Sequence, residues 1–108
     1  MTTKEIWVLY STLANKEEAV FIARALVEKH LAACVNLHEN VTSIYRWQGD
    51  IQQEQEVALI AKTSKAQIPA AIALIKSLHS YEVPCIVAYP APEGFVPFLQ
   101  WVADETVS

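Results

Sequence analysis

Hydrophobic and polar positions divide this chain into blocks whose period switches between that of a strand and that of a helix. Ile6 to Leu13 is apolar and partly β-branched, which predicts a central strand. Asn15 then stands where a helix N-cap is needed, and Glu18 completes a capping-box-like pair. Ala19, Ile22, Ala23, Leu26 and Val27 follow as one apolar stripe, ending near His30-Leu31. Ala33 to Leu37 predicts a short strand, and His38-Glu39-Asn40 interrupts its pattern.

Val41 to Thr63 predicts a long hairpin turning at Gly49. About ten residues on each side at roughly 3.3 Å per residue give strands on the order of 30 Å long, more than a small sheet needs. The outer half carries Tyr45 and Trp47 on one strand and Gln52-Gln53-Glu54-Gln55-Glu56 on the other, so neither arm forms a closed core. An isolated ribbon is marginal in water and its edges invite pairing. The hairpin is therefore expected to be an oligomerisation arm.

Beyond Lys62-Thr63, Pro69 belongs in the first turn of a second helix starting near Ala66, with Ile68, Ala71, Ile72, Ile75 and Leu78 at helical spacing. Ser80-Tyr81-Glu82-Val83-Pro84 ends it. Cys85 to Tyr89 predicts a fourth strand, and Phe98, Leu99, Trp101 and Val102 a short terminal helix. The order β-α-β-β-α-β followed by a helix is that of an α+β, ferredoxin-like sandwich, with helices on one face of an antiparallel sheet. Right-handed crossovers put the first and third strands in the centre.

Composition narrows the field of functions. At 108 residues, 53% hydrophobic and 19% charged, the chain is one domain, residues 1–108, able to bury a core without staples. A net charge of −4 offers no basic field for nucleic acid or an anionic membrane surface. No apolar run approaches the ~20 residues of a membrane span and no signal segment opens the chain, so a cytoplasmic location is expected.

Cys34 and Cys85 fall on opposite sheet edges, beyond the ~5.5 Å Cα separation of a disulfide, and are expected to be free. His30, Cys34 and His38 are spaced by four, but a strand through Val35 holds residues 34 and 38 about 13 Å apart, too far for one ion. Two glycines leave no phosphate-cradling loop and no nucleophile elbow. Glu54 and Glu56 share a strand face at about 6.6 Å, a spacing open to paired carboxylates or a hard cation, and are expected as solvated glutamates. No nucleophile and base stand in fixed relation, and no enzyme is read here.

Leu31-Ala32-Ala33-Cys34-Val35-Asn36, Ser43-Ile44-Tyr45-Arg46-Trp47-Gln48-Gly49-Asp50-Ile51, Glu56, Lys62-Thr63, His79-Ser80-Tyr81-Glu82-Val83-Pro84 and Leu99-Gln100-Trp101, in this order, resemble the CutA proteins, linked to divalent-cation tolerance. The resemblance implies a cytoplasmic homotrimer whose hairpins pair with neighbouring sheets. Tyr45, Trp47 and Ile51 would then lie at the trimer interface. It also implies copper or another divalent cation as a possible ligand, with no cofactor required. Of the copper-binding pattern, a strand cysteine and a His-His pair, only His79 is present, which makes His79 the candidate metal ligand. Tyr45, Lys62, Tyr81, Glu82 and Trp101 are candidates to line intersubunit clefts. Two other readings accompany it: a signalling trimer binding a small anion in those clefts, and an enzyme using His79 as acid or base.

Overall fold

The computed structural model describes residues 5–107. Its strands are β1 (Ile6–Leu13), β2 (Cys34–Trp47), β3 (Asp50–Ser64) and β4 (Ile86–Pro90), and its helices α1 (Lys16–Glu28), α2 (Ile68–Leu78) and α3 (Val96–Glu105). They form one antiparallel sheet in the order β2-β3-β1-β4, so β1 and β3 are central as the crossover argument expects. Cys34 and Cys85 are free thiols, Cys34 at the start of one edge strand and Cys85 just before the other.

Alternation along the strands builds the layers. Leu9, Leu13, Val57, Leu59 and Ala61 point to one face, where they are buried against Ala19, Ile22 and Leu26 of α1 and Ala71 and Ile75 of α2. α1 starts as its sequence predicts, with the Asn15 side chain accepting the Glu18 N–H at 2.9 Å. The expected return contact is missing, because the Glu18 carboxylate is drawn away to Ser80. α2 begins after a 3-10 turn at Lys65–Gln67, two residues later than Ala66, with Pro69 in its first turn. α3 closes a smaller cluster of Ile6, Ala33, Val102 and Ala103 at the start of β1. The opposite sheet face carries Val8, Tyr10, Ile60, Lys62, Val87 and Tyr89 with no helix over it, and the last two are exposed.

β2 runs unbroken through His38-Glu39-Asn40. There Glu39 and Asn40 oppose the single residue Val57, since His38 pairs with Ala58 and Val41 with Glu56. This is a β-bulge, and Asn40 takes the positive φ (63°) that asparagine tolerates. Beyond it the hairpin continues to Trp47 opposite Asp50, closed by Gln48 and Gly49 at φ 50° and 88°, the two-residue turn that suits strand twist. The projecting arm stretches the molecule to 51 × 25 × 22 Å.

Candidate functional site: the root of the arm

The best-organised group of polar side chains lies where β1 ends, α1 begins and the arm leaves the sheet. α2 stops at Leu78, and His79 follows as its C-cap, in an extended conformation that turns the chain back over the sheet end. The His79 side chain is wholly buried. Its Nε2 lies 2.8 Å from the Thr12 carbonyl, which only accepts, so Nε2–H donates. Nδ1 receives the Tyr81 backbone N–H at 3.1 Å, and the two rings lie 4.7 Å apart. Glu18 reaches in from α1, its two oxygens accepting the Ser80 N–H at 2.7 Å and the Ser80 hydroxyl at 2.9 Å, with Oε1 3.7 Å from His79 Nδ1.

Tyr81 extends this network to the arm. Its hydroxyl donates to Glu56 Oε2 at 2.8 Å, and Glu56 is only 7% exposed. Glu56 is thus not a solvated glutamate as expected from its polar neighbours. It lies on the central strand β3 beside the bulge, under the 79–82 loop. Desolvation, then the hydrogen bond to Glu56 and the negative charges of Glu56 and Glu54, push the Tyr81 phenol well above its ordinary range. Tyr45 is raised too, by desolvation first and then by Glu54 and Glu56. Two phenols and two carboxylates therefore converge, each phenol held protonated.

The candidates divide into those this network includes and those it does not. His79, Tyr81 and Tyr45 are brought together, and the group is completed by Glu56, expected as a solvated glutamate, by Glu18, expected as a cap, and by Thr12, which was not singled out. For Thr12 and Glu18 no sequence signal existed, since one contributes a carbonyl and the other looked like a cap. Lys62 lies opposite Val8, four residues or about 13 Å along β1 from Thr12, and donates to Asn36 Oδ1 on the open face. Glu82 is exposed in the loop. Trp101 sits on α3, at the far end of β1, its ring tilted against that of Phe98 with the centroids 5.7 Å apart. Tyr45 and Trp47 share one face of the arm, whereas Ile51 lies on the other beside Ile44, both about two-thirds exposed, at 68% and 66%.

His79 as a metal ligand does not fit this geometry. One ring nitrogen carries hydrogen toward Thr12 and the other has its lone pair occupied by Tyr81, so neither is free for an ion. His30, Cys34 and His38 are likewise separated by the turn after α1 and the rise of β2. Among the described residues no three His, Cys, Asp or Glu side chains are grouped to hold a metal.

Residues 7–105 match the family model of the CutA1 divalent ion tolerance protein. The chain belongs to the CutA1 family. It is 46% identical over 99 residues to human Protein CutA, covering 92% of this chain but 55% of that protein, so it spans about half the length of that relative. It is also 46% identical over 99 residues to the divalent-cation tolerance protein CutA of Thermus thermophilus, covering 92% of this chain and 96% of that one. Among solved structures, CutA1 from Oryza sativa superposes with a TM-score of 0.95 at 34% identity, over 99% of this chain and 98% of that one. The family model and the Thermus thermophilus relative are both described as divalent ion or divalent-cation tolerance proteins, a description that names no reaction. Their names place them variously: a rice relative is chloroplastic and a structure from Archaeoglobus fulgidus is periplasmic. No helix among the described residues is long and apolar enough to cross a membrane.

Proposed function

We propose that this chain works as a homotrimeric divalent-cation tolerance protein of the cytoplasm, its arms laid across neighbouring sheets and its response to copper or similar ions resting on weak ion binding by the assembly. The observation that carries this reading is the arm. Ile44 and Ile51 project from one of its faces and Tyr45 and Trp47 from the other, all exposed, on a ribbon too long for its own sheet. The uncovered sheet face with Val8, Tyr10, Val87 and Tyr89 supplies a surface for a second copy. Trp101 and Tyr81 lie at opposite ends of one subunit, so a cleft lined by both needs two copies. Ion binding is then weak, drawing donors from more than one copy.

A second reading is favoured by Lys62. Its ammonium has no carboxylate within 4.0 Å among the described residues, as an anion-binding lysine on an intersubunit cleft would.

Native mass spectrometry with and without a few equivalents of Cu(II) tests both. A trimer that takes up a stoichiometric ion supports the cation reading. A monomer at micromolar concentration overturns the assembly, and a trimer that leaves copper free shifts the weight to anions near Lys62.

A further inference from the structure

The His79 ring joins three elements, and its two nitrogens have opposite duties. Nε2 needs a hydrogen to satisfy the Thr12 carbonyl of β1, and Nδ1 needs a bare lone pair to receive the Tyr81 N–H. The neutral Nε2–H imidazole meets both demands. An alternative partner stands ready, because Glu18 Oε1 is 3.7 Å from Nδ1, beyond a hydrogen bond but within ion-pair reach. The Ser80 N–H and hydroxyl hold that carboxylate in place. A proton arriving on Nδ1 would meet the Tyr81 N–H as a second donor, and the two would repel. The same proton would be attracted by Glu18.

What Tyr81 does makes this consequential. Its hydroxyl is bonded to Glu56, the residue of β3 that pairs with Val41 at the bulge where the arm begins. We propose that His79 is a proton-operated latch on the arm: neutral, it fixes the Tyr81 backbone and so the Tyr81–Glu56 bond; protonated, it turns to Glu18 and frees the loop from the arm's root.

The groups that face the ring are Glu18 from α1, the Thr12 carbonyl from β1, Tyr81 from the following loop and, through the Tyr81 hydroxyl, Glu56 from β3 with Glu54 and Tyr45 beyond. The latch is closed while the ring is neutral and opens when Nδ1 takes up a proton, hence in the direction of falling pH. It lies within one chain and stands whether or not copies assemble.

The test follows the His79 side-chain nitrogens by ¹⁵N NMR from about pH 8 to about pH 5.5, where carboxylates stay largely ionised. Exchange of the Tyr81 amide is read on the same samples, corrected for the intrinsic pH dependence of exchange. The expected result is a neutral Nε2–H ring at the upper pH, with Nδ1 gaining a proton as pH falls and Tyr81 protection dropping about tenfold over the same interval. In Glu18→Gln, where the partner for a protonated Nδ1 has lost its charge, both changes move together to lower pH. The proposal is overturned by an Nδ1 that already carries hydrogen at the upper pH, by a ring that stays neutral throughout, or by Tyr81 protection that stays level while Nδ1 titrates. Titration of Glu18→Gln at the wild-type pH overturns the exchange of partners. Assembly is read separately by mass at the upper pH, so failure of the trimer and failure of the latch give different results.

Discussion

Replacing Tyr81 by Phe removes one hydrogen and one oxygen while leaving the ring against His79. The loss is the bond from the Tyr81 hydroxyl to Glu56, 2.8 Å long and made to a carboxylate of which only 7% of the residue is exposed. Hydrogen bonds to charged groups contribute about 1.5 to 3 kcal/mol, and burial limits how far water can replace the phenol, so we expect a destabilisation of about 2 kcal/mol. That is roughly a thirtyfold change in the folding equilibrium. With a urea slope of about 1 to 1.5 kcal/mol per molar, the midpoint falls by about 1.5 M at pH 7.5. Protein concentration must be held fixed, because assembly adds its own stabilisation. A double-mutant cycle with Glu56→Gln isolates the pair. A Tyr81→Phe change below about 0.5 kcal/mol, or a coupling energy indistinguishable from zero, would refute the claim that this bond ties the loop to the arm.

Other expectations follow from the same geometry. The fold holds the Tyr81 phenol protonated above the ordinary value of 10.0, so this stability is fully present below that pH and is lost as pH rises past it, when the unfolded chain releases a proton the native one keeps. The loss is at most about 1.4 kcal/mol per pH unit and less after solvent screening at a partly exposed ring, so thermal melting of the wild type should fall more steeply than that of Tyr81→Phe above about pH 10. Trp47→Asp should lower the oligomer mass in native mass spectrometry, since it places a charge in a contact that assembly would desolvate; an unchanged trimer would put Trp47 on open surface. Asn15→Ala should cost about 1 kcal/mol in denaturant titration by removing the Glu18 N–H acceptor, and a neutral result would mean water caps α1 equally well.

The fold was largely legible because its signals are local. Apolar stripes, the Asn15 cap, Pro69 and the Gly49 turn each act over a few residues, and two crossovers leave little freedom in strand order. The misses have a common cause in contacts between distant positions. His38-Glu39-Asn40 reads as a break because polar residues disrupt the alternation, yet a bulge accommodates them without ending the strand. Glu56 reads as solvated from its neighbours Gln53, Glu54 and Gln55, and only the returning 79–82 loop, some 25 residues away, buries it. Glu18 was assigned its own helix terminus, but Ser80 presents two donors and takes the carboxylate. Of the arm-root group, His79 and Tyr81 were visible only through the family resemblance and Tyr45 also through the hairpin pattern, while the carbonyl of Thr12 has no side-chain signature at all.

The bulge at Asn40 makes the arm's two sides a matter of parity. Up to His38 the even-numbered residues of β2 share the uncovered sheet face, and beyond Val41 the odd-numbered ones do, which delivers Tyr45 and Trp47 to that side and Ile44 to the reverse. Removing a single residue there would erase the bulge and restore plain alternation, with Val41 still opposite Glu56 and Ser43, Tyr45 and Trp47 still on the side they hold now. A one-residue deletion at the bulge is thus a milder event for the arm than the same deletion further out, where every later side chain of the strand would change face. Chain length can therefore vary at this position while the arm keeps the same two faces.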